Sequence, residues 1–514
     1  MSKRPDIVVG SGPAGIAAAH ALLARGRAVL LVDGGRSLED AAVARSAALA
    51  ARDPSDWAAS DRAGWMAPQF DTPPGQVRRF GSDFAMEPAE ATFAAPAEWM
   101  ELRASRAAGG LSNLWGAAVL PYAAKDMAGW PIGADDLAPH YRAVAALMPV
   151  AGSPDDLQAL YPTLPMAGRA AIAPSPQARR LLGRLARHRT ALADLGVTAG
   201  AARQAVGADC RLCGLCLHGC PYGLIWSARH ALAALHGKPG FTYRPGAVVT
   251  RFVETPEGVT LHLASGGTIA GGRAFLGAGV LETARILLAS RAVAGELVLR
   301  DSQHAFLPMI ERRLGGPRPD LGAFHTLPQA FVAIDAPEVS PHLVHAQLYG
   351  WNEFYPRDLV ARYGDRIPLV GAPLMTALAR RLVVAQLFLH SDHSHRIALG
   401  LAPDGRLTLR LDANPAVASV LRAATARMGR AMRFGGLLPL GFASRPGAPG
   451  SSFHCGATVP MAQAPGPGQS DRLGRPQGLS RVHLVDASSL PAIPATTITF
   501  SVMANAHRIA ASAD

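Results

Sequence analysis

Charge, aromatic side chains and cysteine are all scarce in this chain. Charged residues make up 17% and aromatic residues 6% of its 514 residues, against a hydrophobic fraction of 49%. Such a composition excludes extended disorder, which needs few apolar residues and high net charge. No uninterrupted apolar run reaches the ~18 residues of a membrane-crossing helix. The formal net charge of +12 comes largely from scattered arginines. There is neither a basic tract nor a nucleic-acid-binding signature, so no nucleic-acid partner is expected. Scattered charge reads first as a solvated surface, with attraction to an anionic membrane or an acidic partner as the alternative. A strand-like run begins at Asp6, which leaves no room before it for the charged and apolar regions of a signal peptide. The expectation is a cytoplasmic protein, with peripheral membrane contact as the further option. The best stretch for such contact is Pro368–Leu389, apolar apart from Thr376, Gln386, Arg380 and Arg381, but a buried helix running into a core strand explains it better.

What the chain does have is size, turns and one dense motif at its start. Its length exceeds what one hydrophobic core supports, so two or more domains are expected. The 53 Gly and 41 Pro follow no short period and mark turns rather than low complexity. The apolar run Asp6 to Val9 reads as a buried parallel strand. Gly10, Gly12 and Gly15 follow on the G-x-G-x-x-G spacing as helical periodicity begins at Ile16. The first glycine permits the tight turn, the second lets backbone approach a pyrophosphate, and the third lets the helix pack on the strand. A second strand, Val29 to Val32, ends in Asp33, where a carboxylate can accept hydrogen bonds from a ribose. The fingerprint predicts a dinucleotide without deciding between FAD and NAD(P).

Four of the five cysteines fall in DCRLCGLCLHGCPYG, as Cys210, Cys213, Cys216 and Cys220 followed by Pro221. The C-x2-C-x2-C-x3-C-P run matches a bacterial ferredoxin loop and favours metal or redox chemistry over structural disulfides. In ferredoxins with this run the fourth cysteine serves a second cluster, and no second run occurs here. An iron–sulfur cluster (4Fe-4S or 3Fe-4S), zinc, paired disulfides and packed thiols therefore all stay open. Cys455, alone beside His454, reads as a small buried hydrophobe. His390, His393 and His395 in LHSDHSH suggest metal ligands, but a polar turn between two strands accounts for them more simply.

Elsewhere, Asp135 is expected to cap a helix starting at Asp136. Tyr243 to Leu263 alternates like strands around a turn at Pro256–Gly258, and Arg273–Leu276 reads as a strand leading through Gly277–Gly279 into a helix. From about 300 to 444 the strand-sized runs FVAI, LVHAQLYGW and VVAQLFLH predict an antiparallel sheet. The fold class expected is α/β, with a Rossmann-like domain interleaved with an antiparallel-sheet domain.

Taken in order, GSGPAG, GGLSNLWG, SSFHCGATVPM and HLVDASSLP resemble the segments of the glucose-methanol-choline (GMC) oxidoreductases, FAD-dependent enzymes that act on alcohols. The resemblance implies that Gly10, Gly12, Gly15 and Asp33 hold the ADP half of FAD. It makes Gly110, Asn113 and Trp115 flavin neighbours, sets Val249 against the adenine, and brings Asp486 and Ala487 near the ribityl and pyrophosphate. It divides the chain into FAD-binding parts at 1–125, 241–299 and 445–514, a connecting segment at 126–204, a cysteine-rich loop at 205–240 and a substrate domain at 300–444. His454 matches the catalytic histidine: oxidising an alcohol sends a hydride to flavin N5 and a proton to a base, which a neutral histidine supplies. The second catalytic position, histidine or asparagine in the family, falls on Thr497, which is no base near neutral pH. Thr496 and Asn505 are not obvious substitutes, and Cys455 replaces the usual proline. A cluster at the four cysteines would imply a dehydrogenase passing electrons to a protein or quinone acceptor. The alternatives are an oxygen-using oxidase with structural cysteines, and an electron-transfer flavoprotein. The substrate expected is a small-molecule alcohol, a sugar or a lipid-like alcohol.

Overall fold

The computed structural model describes residues 4–67, 79–313, 322–363 and 371–514. Asp6–Val9 and Val29–Val32 form neighbouring parallel strands, because both are short apolar runs with no polar face to turn to water. Between them runs the helix Pro13–Ala24, which has proline in its first turn and is buried over most of its alanine-rich length. This helix starts a turn earlier than its periodicity at Ile16 suggests, since small residues do not register as an apolar stripe.

The sheet is completed from three distant parts of the chain, in the order Val482–Leu484, Arg273–Leu276, Asp6–Val9, Val29–Val32, Phe241–Arg244, with every pairing parallel. The helix Thr499–Ser512 packs along Pro13–Ala24 and closes one face. The first strand opens on the buried Asp6, whose carboxylate accepts two hydrogen bonds from Arg27, at 2.8 and 3.1 Å.

The expected antiparallel sheet is present. Its strands run in the order Leu437–Pro439, His304–Glu311, Leu382–Phe388, Val344–Tyr349, Ala330–Ile334, Val197–Ala201, and the helix Val417–Phe434 packs against this sheet. The outermost strand, Val197–Ala201, comes from well before residue 300. Two smaller sheets complete the fold. Val249–Thr255, Gly258–Leu263 and Thr268–Gly271 form a meander. In the other, Leu297–Asp301 pairs with Cys455–Gly456 on one side and Arg396–Leu401 on the other. Within Pro368–Leu389, the described part is a helix, Gly371–Ala379, running into the core strand Leu382–Phe388, and residues 368–370 lie outside the described residues. No described helix is long and apolar enough to cross a membrane.

One local expectation is corrected. The helix after the loop at 130 spans Ala134–Ala145 with Gly133 at its cap, and Asp136 rather than Asp135 reaches back to accept the Gly133 N–H at 2.8 Å.

The glycine fingerprint is held by close backbone approach. Gly10 has φ +96°, and a Cβ there would sit 2.4 Å from the Gly277 carbonyl oxygen. A Cβ on Gly15 would sit 1.8 Å from the Gly10 carbonyl oxygen. Gly15→Ala is therefore expected to destabilise the protein by about 1–3 kcal/mol through overpacking, although alanine is the better helix former. Thermal unfolding checks this, and an unchanged midpoint would contradict it.

Candidate active site

A cavity of about 1410 Å³ runs from the end of the parallel sheet to the antiparallel sheet. It exceeds the roughly 300–1,000 Å³ of ordinary small-molecule pockets, leaving room for a large cofactor together with a substrate. At the sheet end it is lined by Gly10, Gly12 and Asp33. A Cβ on Gly12 would meet nothing within 4 Å, so this backbone stands open to the cavity. No side chain caps the helix that follows, and its first N–H groups are free for an anion. Asp33 accepts from the Ser11 hydroxyl and, at 2.8 Å, from Tyr243. Burial pushes its carboxyl above the ordinary carboxylate range. The backbone N–H groups of Ser11 and Gly35 also face this carboxylate. Gly15 does not line the cavity; its place is the helix–strand contact already described. These residues fit the adenosine and pyrophosphate part of a dinucleotide.

Further along the cavity wall come Val249, Gly110, Trp115, Asp486 and Ala487. Asp486 accepts from Thr283 Oγ1 at 2.5 Å and from the Ser488 N–H at 3.0 Å, which ties its turn to the helix Val280–Ala289. The Val249 carbonyl accepts from Arg285 at 2.9 Å, and Trp115 Nε1 donates to the Trp226 carbonyl at 2.7 Å. Asn113 does not itself line the cavity, although its neighbours Ser112 and Leu114 do. Its amide donates to the carbonyls of Ala108 and Gly110, at 3.0 and 2.8 Å, and accepts from Ser227 at 3.0 Å. It holds the Gly-rich turn in shape.

At the other end of the cavity are His454 and Thr497. The SSFHC turn is built around one buried carboxylate. Asp301 accepts from the Gly450 N–H at 2.8 Å, from the Ser452 hydroxyl and from Cys455 Sγ at 3.5 Å. Ser452 Oγ in turn accepts the His454 N–H at 3.0 Å, and the His454 carbonyl accepts the Ser302 N–H at 3.0 Å. The His454 ring stacks on Phe388 with centroids 4.8 Å apart, and its Nδ1 is buried without a partner. Burial, with His304 nearby, pushes the His454 pKa down to about 3, so the imidazole is neutral at neutral pH. Thr497 is buried, and its oxygen accepts the Leu120 N–H at 3.1 Å, which leaves its own proton to donate. Asn505 accepts from Arg508 and, like Thr496, does not line the cavity.

Sequence reasoning missed three groups here. Arg79 lines the cavity and donates to the Trp115 carbonyl at 2.5 Å. His304 also lines it, with its Nδ1 buried and unpartnered. Asp301 lies beneath the turn at full burial. None belongs to a local motif, and only the alternation of the strand His304–Glu311 hinted that His304 faces inward.

The four clustered cysteines come together. Cys210, Cys213, Cys216 and Cys220 line one small cavity with Tyr222, Leu224, Ile225 and Leu327, and all four are unbridged. Burial and mutual repulsion push Cys213 up to about 12, and Cys216 is pushed up to about 11. Backbone N–H groups of Leu212, Leu215 and Thr326 point at the sulfurs of Cys210, Cys213 and Cys216. Leu327 lines this cavity and the large one alike.

Residues 6–79 match a family model described as an FAD binding domain. The N-terminal segment carries an FAD-binding pattern. No curated protein sequence matches the chain. Among solved structures, pyridoxine 4-oxidase from Mesorbium loti is similar at a TM-score of 0.61 and 16% identity, over 99% of this chain and 98% of that one. The likeness establishes a shared fold and agrees with the α/β class expected from the sequence.

Two outcomes follow from the His454 turn. Asp301→Asn removes a charged acceptor from three donors and is expected to cost about 1–3 kcal/mol of stability, with kcat reduced while bound FAD is retained. Parallel kcat and flavin-content measurements check it, and loss of flavin in step with activity would contradict it. With His454 pushed down to about 3, a reaction that needs its neutral imidazole should keep its kcat/KM as pH falls through ~6.5, the ordinary histidine value. An acid limb centred near ~6.5 in the pH–rate profile would contradict the burial argument.

Proposed function

We propose that the chain is an FAD-dependent oxidoreductase that oxidises a CH–OH group, with His454 as proton acceptor. The observation that carries the reading is a cavity that joins the glycine fingerprint and Asp33 to a half-buried histidine held neutral by desolvation. When bound, FAD supplies the two-electron acceptor for the hydrogen leaving the carbinol carbon. Every other task falls to this chain. The His454 imidazole takes the hydroxyl proton, held in orientation by Phe388 and by the Asp301 turn. Thr497, with its oxygen engaged by Leu120, donates its own proton to the substrate oxygen. This suits a positioning contact and leaves His454 as the base.

The substrate end is lined by Phe306, Pro308, Ile310, Val384, Phe388 and Leu440. The same wall also carries Gln347, Tyr349 and Gln386, so a mostly apolar alcohol with a few polar groups fits it best. Phe442, which is 91% exposed, lines the same cavity. An apolar mouth suits delivery of such a substrate, and peripheral contact with a membrane is consistent with it.

For reoxidation, we favour a dehydrogenase whose electrons leave through an iron–sulfur cluster at Cys210, Cys213, Cys216 and Cys220. Three of the sulfurs accept backbone N–H groups, as cluster and metal thiolates do. Among the described residues, no three cysteine sulfurs lie within 4.8 Å of one another. The wall shared through Leu327 gives a short path between the two cavities. The oxidase reading has its own support, since the similar fold named above is that of pyridoxine 4-oxidase.

Two experiments test this reading. Flavin reduction without oxygen, over a panel of apolar alcohols and sugars, should be fastest with apolar alcohols and slow by about 10²–10⁴-fold in His454→Ala. Equal rates in both proteins would remove His454 from the reaction. Iron and sulfide assays should find a cluster that Cys213→Ser removes while reduction of flavin by the alcohol persists. Flavin absorbance alone, without iron, would leave the oxidase.

A further inference from the structure

Arg79 lines the large cavity as a half-buried cation, and its Nη1 donates to the Trp115 carbonyl at 2.5 Å. Among the described residues no carboxylate lies within ion-pair distance of it. Arg106, in the same lining, differs: it approaches Glu87 and Glu282 at 3.8 and 4.0 Å. Burial pushes the Arg79 guanidinium down to about 10, with Tyr349 and Cys216 as the groups that oppose the shift. A guanidinium held away from water without a carboxylate gains most from an anion that a ligand brings.

Its neighbours on the wall are donors as well. Tyr349, beside Arg79, donates its hydroxyl to Gln347 Oε1 at 2.8 Å. With that oxygen engaged, the buried Gln347 side chain has its NH2 group left for the cavity it lines. Gln386 is its register partner on the next strand and lines the cavity beside it. Asp358, an acid in the same lining, is itself engaged. Guanidinium and amide N–H groups on one wall, with the amide oxygen turned away, complement a carboxylate.

Strand geometry sets the span from this wall to the reacting end. His345 pairs with Phe388, Gln347 with Gln386 and Tyr349 with Val384, so alternate residues form three rows on one face. Phe388, in the first row, carries the His454 ring. Tyr349 stands four residues further along its strand, about 14 Å at ~3.4 Å per residue, and Gln347 is half as far. Phe306 and Pro308, register partners of Gln386 and Val384, give the span an apolar wall. We propose, resting on the alcohol oxidation above, that Arg79 and Gln347 bind a carboxylate at the far end of the substrate, which is a long, mostly apolar hydroxy acid. A 2-hydroxy acid is excluded, because its two groups lie too close together to reach both ends.

The FAD-loaded protein tests this in two ways. Flavin reduction without oxygen is compared for straight-chain ω-hydroxy carboxylates of increasing length and for their methyl esters. At the best length kcat/KM should favour the acid by about 10–100-fold, chiefly through KM. That preference should collapse in Arg79→Gln and fall in Gln347→Leu. A folding or flavin-loading defect lowers both rates alike and leaves the ratio, so the ratio reads the subsite. Binding of the saturated fatty acid of the same length, followed by perturbation of the flavin spectrum, should show the same preference over its ester without turnover. Equal use of acid and ester, or a preference that Arg79→Gln leaves intact, would overturn the subsite. An intact preference together with a lowered flavin midpoint potential in Arg79→Gln would assign the guanidinium to the reduced flavin instead. Fatty-acid binding that needs Arg79, in a protein whose flavin no alcohol reduces, would sink the alcohol reading and the hydroxy-acid substrate while leaving the carboxylate site.

Discussion

A Cβ on Gly15 would sit 1.8 Å from the Gly10 carbonyl oxygen, and one on Gly10 would sit 2.4 Å from that of Gly277. Three backbone segments therefore meet at the carboxyl end of the parallel sheet with no side chain between them. The helix start is free of a side-chain cap because its N-cap is Gly12, which also lines the large cavity. Segments from residue 6, residue 273 and residue 482 must all dock before this end of the cavity exists. The antiparallel sheet then supplies the opposite wall.

A second constraint lies at the far end. Asp301 ends the strand that pairs with Cys455–Gly456, so one buried carboxylate sets both the strand pairing and the turn that carries His454. A buried charge costs free energy unless it is well hydrogen-bonded, and here three donors meet it. That arrangement gives His454 a defined direction without any hydrogen bond to its Nδ1. The orienting contact is the Phe388 ring instead.

Much of this was legible in the sequence, and the parts that were not have physical reasons. The strand, glycine turn, helix, strand and acid from Asp6 to Asp33 could be read because each step is local. The antiparallel sheet could be read from its apolar runs, but not its edge strand Val197–Ala201, whose small residues carry no strand pattern. Cys210, Cys213, Cys216 and Cys220 announced themselves by spacing. Asp301, Arg79 and His304 could not, because each acts on residues far along the chain and its neighbours in sequence say nothing of them. Asn113 shows that a residue inside a recognisable segment can also hold its own turn, through the Ala108 and Gly110 carbonyls.

The proposed reaction takes hydrogen from the carbinol carbon of an alcohol while His454 receives the hydroxyl proton. The most direct measurement is the rate of flavin bleaching without oxygen, using an apolar alcohol carrying either hydrogen or deuterium on the carbinol carbon. The account predicts bleaching by the alcohol alone, slowed by deuterium. No bleaching by any alcohol, in a protein whose flavin is readily reduced by an added electron donor, would contradict it and leave a carrier of electrons in place of an alcohol-oxidising enzyme.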